Sequence, residues 1–319
     1  MDENNVTIIT AIHLLGFQIP QSITYLVFFT FLLFFCVTIC GNLLIITLVS
    51  YSKSLHSPMY FFLTQLALSD IILVSDIVPN LLHAVLENTT IVSVSDCITQ
   101  IYFFAATESL ECLLLTVMSY DRYLAICRPL HYTMVMSHRF CWIAGISSWS
   151  LSFLAILVNT LTITTLQFCG PNIIDHYFCD LEPILQLSCS DTTIVQLEVT
   201  SMSVMFALIP FFIIIVSYIY IIVTILEIPS ITGRQKVFST CSSHLTVVSI
   251  FYGTIVCVYM VPNRGQSWNI SKFLSLLYTL VTPMLNPILY SLRNKDLKQV
   301  IQKLIFKILT LHFNHPFNH

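Results

Sequence analysis

Seven stretches of mostly apolar sequence dominate this chain, and each is long enough to cross a bilayer as a helix. They run roughly over 24–50, 58–86, 97–127, 141–165, 196–226, 236–261 and 271–292. About 20 helical residues span a hydrocarbon core. Inside lipid every backbone N–H and C=O needs a partner, and a helix supplies them all within itself. The expected fold class is therefore an all-α membrane protein, a seven-transmembrane helix bundle embedded in a lipid bilayer. Composition agrees: the 319 residues are 56% apolar and 9% charged, with a mean hydropathy of +0.84. A soluble chain would carry about a quarter charged residues.

The chain then divides into an extracellular N-terminus over 1–23, the seven-span region over 24–292, and a cytoplasmic surface helix and tail over 293–319. The N-terminal residues are polar and lack the apolar core of a cleavable signal peptide, so the first span would serve as the targeting signal. Within the tail, Lys295, Lys298, Lys303 and Lys307 alternate with Leu297, Ile301, Leu304 and Ile308. That pattern predicts a short amphipathic helix over 294–308, lying on the membrane surface.

Lys and Arg set the orientation. With the N-terminus outside, Lys53, Arg122, Arg128, Arg139, Arg234, Lys236, Arg293 and the four tail lysines are cytoplasmic, and only Arg264 and Lys272 are outside. The expected location is the plasma membrane, multi-pass, with the N-terminus extracellular. Asn5-Val6-Thr7 is a glycosylation acceptor on the outer side. The acceptors at Asn88 and Asn269 sit close to the bilayer and are expected to stay unmodified.

Cys97, Cys169, Cys179 and Cys189 fall on the outer side, where disulfides persist, and four cysteines allow three pairings. The other seven lie in spans or near the cytoplasm and read as small buried apolar residues. His176 to Asp180 reads HYFCD, a spacing that invites a metal, but an oxidised Cys179 cannot supply the thiolate a metal needs. The sequence shows no HExxH, no nucleophile elbow and no phosphate-binding glycine loop, so it is read as a non-enzyme without catalytic residues. No nucleic-acid partner is expected.

Several motifs together resemble one family. They are Gly41-Asn42, PMYFFLTQLALSD (58–70), MSYDRYLAIC (118–127), the loop CGPNIIDHYFCDLEPILQLSC, Ser217-Tyr218, KVFSTCSSHL (236–245) and PMLNPILYSLRNKD (283–296). The chain resembles a rhodopsin-like G-protein-coupled receptor and, more narrowly, an olfactory (odorant) receptor of the tetrapod group associated with airborne odorants. The resemblance implies a small volatile ligand bound within the bundle. It also implies a heterotrimeric G protein as partner, of the stimulatory or olfactory type that raises cyclic AMP. It pairs Cys97 with Cys179 and Cys169 with Cys189.

The same resemblance assigns roles. Asp121, Arg122 and Tyr123 form the coupling motif at the cytoplasmic end of the third helix. An ionised side chain there is costly unless paired or wetted, so Asp121 is the resting partner of Arg122. Separation of the helices would release the arginine, making the pair one element of a two-state switch. Tyr218, Asn286, Pro287 and Tyr290 join this set. Pro283 and Pro287 each remove a backbone donor, which predicts a kink in the seventh helix.

Reading up one face of the third helix from Arg122 gives Met118, Leu115, Glu111, Glu108 and Phe104. Glu111 and Asp70 match acids common to the family. They form either a sodium site or a carboxyl–carboxyl hydrogen bond; beyond that Na⁺, no cofactor is expected. The ligand set carried from the family is Phe104, Ala105, Glu108 and Ser109 on helix three, and Met202, Ser203 and Phe206 on helix five. Helix six adds Tyr252, Ile255 and Tyr259, and helix seven adds Tyr278 and Thr279. Phe104 lies seven residues, or roughly 10 Å, below Cys97 at about 1.5 Å per residue.

Two positions depart from the family. Glu227 stands where a lysine is expected at the cytoplasmic end of helix five. Glu108 places an acid where small or hydroxyl residues are usual; it is read either as an amine-binding carboxylate or as a neutral acid bonded to Glu111 or Ser203. Two rivals to the odorant-receptor reading remain. One is a receptor of the same superfamily for a non-odorant metabolite, which a panel of volatiles against metabolites separates. The other is a transporter, which would show repeated halves, and no internal repeat is found.

Overall fold

The computed structural model describes residues 9–260, 268–293 and 297–303. Among these, seven long helical segments pack side by side. The first runs Gln21–Tyr51, the second Pro58–Glu87, the third Val94–Cys127 and the fourth His138–Thr164. The fifth spans Thr193–Glu227 and the sixth Ile231–Met260. The seventh is continuous through Trp268–Leu276, Leu277–Val281 and Thr282–Arg293. Six of the seven are long and apolar enough to cross a membrane, and the sixth contributes the shorter apolar stretch Cys241–Cys257. Its opening residues, Gly233-Arg234-Gln235-Lys236, are polar. Residues 297–303 form a further helical piece, with Leu297 buried in the core.

Local chemistry sets the helix ends. Pro58 occupies the first turn of the second helix, where its missing N–H costs nothing. That helix stops at Asn88, which adopts φ 59°, a left-handed conformation that asparagine tolerates. Ser93 caps the third helix by accepting the Asp96 N–H at 3.0 Å, and Ser137 caps the fourth by accepting from Phe140 at 3.3 Å. Pro129 ends the third helix and opens a short helix, Pro129–Val135.

The fifth and seventh helices widen into π turns, over Val204–Leu208 and Leu277–Val281. In each case a proline, Pro210 or Pro283, follows two residues later. A proline ring clashes with the carbonyl four residues back and leaves it without a donor. Those carbonyls belong to Phe206 and Thr279, inside the two π turns, where a wider ladder relieves the clash. The disturbance in the seventh helix thus begins ahead of Pro283, not only at Pro287.

The core runs along the third helix. Leu110 and Leu114 are fully buried there, with Leu115 and Met118 beside them. Helix one meets helix seven at Gly41, where a Cβ would stand 3.0 Å from Pro287 Cγ, so any larger residue would push the Pro287 ring aside by a few tenths of an ångström. The outer faces invert the soluble pattern: Leu26, Phe29, Leu33, Ile143, Ile146, Leu154, Phe212, Val216 and Ile219 are all exposed. Apolar surface of that extent suits hydrocarbon rather than water.

A small sheet closes one end of the bundle. β1 (Ala11–Leu14) lies between β2 (Thr90–Ser93) and β3 (Ile173–Ile174), antiparallel to the first and parallel to the second. Disulfides Cys97–Cys179 and Cys169–Cys189 anchor the long loop beneath it. The Cys179 N–H also donates to Gln100 Oε1 at 2.8 Å. The opposite end carries Arg122.

Candidate functional site

Below the disulfide end, aromatic rings fill the space between helices three and seven and the loop. Phe104 meets Phe178 edge-on at 5.4 Å and Tyr278 at 5.7 Å. The hydroxyls of Tyr177 and Thr279 lie 2.9 Å apart, tying the loop to the second π turn. Tyr278 donates to Ser275 Oγ at 3.1 Å. Ala105, Glu108 and Ser109 are half-buried on helix three, Met202 is half-buried on helix five, and Phe206 is buried in the first π turn. Ser203 lies on the exposed surface of its helix. On helix six, Tyr252 is buried against Phe211 and Ile255 is half-buried. The Tyr259 side chain and Asn5 lie outside the described residues.

Midway down sits a belt of buried polar groups. Asn286 Nδ2 donates to both oxygens of Asp70, at 3.1 and 3.2 Å. The Glu111 carboxyl lies beside the same carboxyl, and nearby Asn42 Nδ2 donates to the Thr38 and Pro283 carbonyls at 3.1 and 3.4 Å. Glu111 Oε1 remains buried without a partner. Two carboxyls in contact hold either one proton or one cation between them, and their hard oxygens suit Na⁺. Among the described residues, no group of three or more His, Cys, Asp and Glu gathers as a metal site, and HYFCD forms none.

At the opposite end Asp121 is fully buried and pairs with Arg122, whose Nε donates to Oδ2 at 2.9 Å. Tyr132 Oη donates to the other oxygen, Oδ1, at 2.9 Å. Arg122 is thus held by an acid that is itself held by the short helix. Tyr123 stacks on Tyr120 at 6.2 Å. The Tyr218 hydroxyl and His244 Nδ1 are 2.6 Å apart, joining helices five and six. Tyr290 is fully buried, within electrostatic reach of Tyr218, Asp70 and Arg122, and its hydroxyl has no hydrogen-bond partner. Sequence reasoning gave no role to Tyr132 or His244. His244 stands inside the motif KVFSTCSSHL and Tyr132 five residues beyond MSYDRYLAIC, and a histidine in a membrane span was the available signal.

It also missed the centre of the cap. Lys272, at 1% exposed, donates from Nζ to the Gly16 carbonyl at 2.8 Å and reaches Asp175 Oδ1 at 2.5 Å. His176 is buried between Tyr177 and Phe178, with ring centroids 4.7 Å away on each side. Burial, with Lys272 nearby, lowers its pKa to about 3.

A family profile described as "Olfactory receptor" matches residues 29–308. "Olfactory receptor 1496" of Rattus norvegicus is 45% identical over 302 residues, covering 95% of this chain and 97% of that protein. "Olfactory receptor 1468", also from Rattus norvegicus, is 42% identical, covering 96% and 98%. "Olfactory receptor 11L1" of Homo sapiens is 44% identical, covering 96% and 95%. Among solved structures, the crystal structure of squid rhodopsin superimposes with a TM-score of 0.69 at 16% identity, covering 92% of this chain and 89% of that one.

Proposed function

Because the chain belongs to the olfactory receptor family, a family of multi-pass membrane receptors and not of enzymes, we propose that it binds a small volatile odorant within the helix bundle and activates a heterotrimeric G protein of the stimulatory type, raising cyclic AMP. The disulfide end faces outward at the plasma membrane and the Arg122 end faces the G protein.

The observation that carries this reading is the buried lock at Arg122. Asp121 holds the guanidinium, and Tyr132 holds Asp121. The Tyr218–His244 bond closes helices five and six beside it. A ligand acts only through its differential affinity for two states. A molecule wedged among Phe104, Phe206, Tyr252 and Tyr278 favours the arrangement in which helix six swings away at the other end. The two π turns lie on the path, since Phe206 and Tyr278 belong to them. The swing breaks Tyr218–His244, and Arg122 leaves Asp121 for the G protein. A Na⁺ ion held by Asp70 and Glu111 would favour the closed arrangement by bridging helices two and three.

The test is a panel of volatiles against non-volatile metabolites, read as cyclic AMP in cells displaying the chain. Responses confined to metabolites overturn the odorant reading and favour a receptor of the same superfamily with another ligand.

A further inference from the structure

We propose that Phe17 is a positioning residue of the ligand site: its ring, laid on Tyr177, fixes the roof over Phe104, Tyr278 and Thr279 and so sets how long a ligand the site admits. The inference rests on the odorant-receptor reading above and names the residue that sets ligand length at that site.

The N-terminal segment is held just ahead of this ring from three sides. The Leu15 N–H donates to the Ile174 carbonyl of the long loop at 2.9 Å. The Gly16 carbonyl accepts from Lys272 Nζ of helix seven at 2.8 Å. A Cβ at Gly16 would stand 2.8 Å from Ala84 Cβ, so the backbone here lies against helix two with no room for a side chain. Backbone fixed in this way aims the next side chain inward, and Phe17 is 7% exposed. Its ring stacks on Tyr177, with centroids 5.5 Å apart and planes 18° from parallel. It also meets Phe273 of helix seven at 5.3 Å and Phe31 of helix one at 6.3 Å.

Tyr177 passes that position on to the ligand set. Thr279 donates its hydroxyl proton to the Ser275 carbonyl at 2.8 Å. In the 2.9 Å contact between the two hydroxyls, Tyr177 is therefore the donor and Thr279 the acceptor. Tyr177 also touches Phe178 at 5.0 Å, Phe178 meets Phe104, and Phe104 meets Tyr278, the neighbour of Thr279. These contacts close a circuit through the loop, helix three and helix seven, and three of its five members belong to the ligand set. Phe17 stands outside the circuit and packs on its Tyr177 corner. Close-packed interiors transmit displacement rather than absorb it. A smaller side chain at this position lets Tyr177 and Phe178 yield, and a longer ligand fits beneath them. A larger ring presses them in, and a shorter ligand fits.

The experiment uses straight-chain volatile alcohols, aldehydes and ketones graded one carbon at a time, with cycloalkyl alcohols graded by ring size. Cyclic AMP is read at matched surface expression on the native chain, Phe17→Leu, Phe17→Trp and Leu14→Val. The last loosens the same cap within the sheet, in a cluster apart from Phe17 and Tyr177. Each CH₂ newly accommodated changes potency about fourfold. Phe17→Leu should move the preferred length up by about one or two carbons, and Phe17→Trp should move it down. Leu14→Val should scale all responses together and keep their order. With Tyr177→Leu already present, Phe17→Leu should add no further shift, since its effect passes through Tyr177. An unchanged length order in Phe17→Leu, or a proportional loss at every length, overturns the proposal and leaves the odorant reading standing. So does a Phe17→Leu shift that persists in full beside Tyr177→Leu. Silence of the native chain toward every volatile overturns both. If Phe17→Leu does not reach the surface, Phe17→Met takes its place under the same criteria.

Discussion

Lys272 Nζ and Asp175 Oδ1 meet at 2.5 Å and join the start of the seventh helix to the long loop. The lysine is 1% exposed and the aspartate side chain 34% exposed, so the two ends of the pair differ in what each loses when its partner goes. Asp175→Asn leaves a cation sealed without a counter-charge. Lys272→Met leaves an acid that water still reaches. Breaking a buried pair so that a charge is stranded costs about 3–5 kcal/mol. The aspartate variant should therefore be the more destabilised of the two in thermal unfolding of the purified protein. The reverse order would show that the pair does not hold the cap.

His176 predicts an acid sensitivity of the same cap. Its pKa falls from 6.5 to about 3 because burial, then Lys272, opposes the charged form. The unfolded chain therefore binds a proton that the folded one refuses, and stability is lost as pH drops from about 6.5 toward 3. Asp175, the acid paired with Lys272, keeps that lysine's charge beside the ring rather than neutralising the ring itself. Melting temperatures at neutral pH and at about pH 5 should differ more for the native chain than for His176→Phe, which keeps the aromatic packing. Equal shifts would exclude His176 as the cause.

The two disulfides should not matter equally. Cys97–Cys179 closes 82 residues and Cys169–Cys189 closes 20. Chain entropy gives about 4.5 kcal/mol for the longer loop and about 3.3 for the shorter. Cys97→Ser and Cys179→Ser should abolish delivery to the cell surface, Cys169→Ser should reduce it, and Cys112→Ser, a buried free thiol, should be milder than any of these. Indistinguishable surface levels across the four would undo this ranking.

Much of this architecture was legible in the sequence because lipid leaves few alternatives. Long apolar runs must become helices, so the seven spans follow from hydropathy and length. The disulfide pairs came from family motifs and both form. The sheet was invisible because Ala11–Leu14 and Ile173–Ile174 are too short to show a period of two, and they pair only once the helices bring them together. The Lys272–Asp175 pair joins residues 97 positions apart, a relationship no local pattern encodes. The π turns had a signal, Pro210 and Pro283, but a proline marks a disturbed ladder without saying how the ladder adjusts.

Tyr132 offers a test of the lock. Tyr132→Phe removes one hydrogen bond to the Asp121 carboxylate and little else. Bonds to charged groups contribute about 1.5–3 kcal/mol, so the population of the open arrangement should rise about tenfold or more. Basal cyclic AMP should increase at equal surface expression. Unchanged basal signalling would mean that Tyr132 does not hold Asp121 in the closed arrangement.

The central claim is that a small molecule at the disulfide half drives release of Arg122 at the other end. The most direct measurement is cyclic AMP across a panel of volatiles in cells carrying the native chain or Arg122→Ala, with surface levels matched. The account predicts a concentration-dependent rise for at least one volatile on the native chain, lost in Arg122→Ala. A volatile response of equal size in both chains would contradict it.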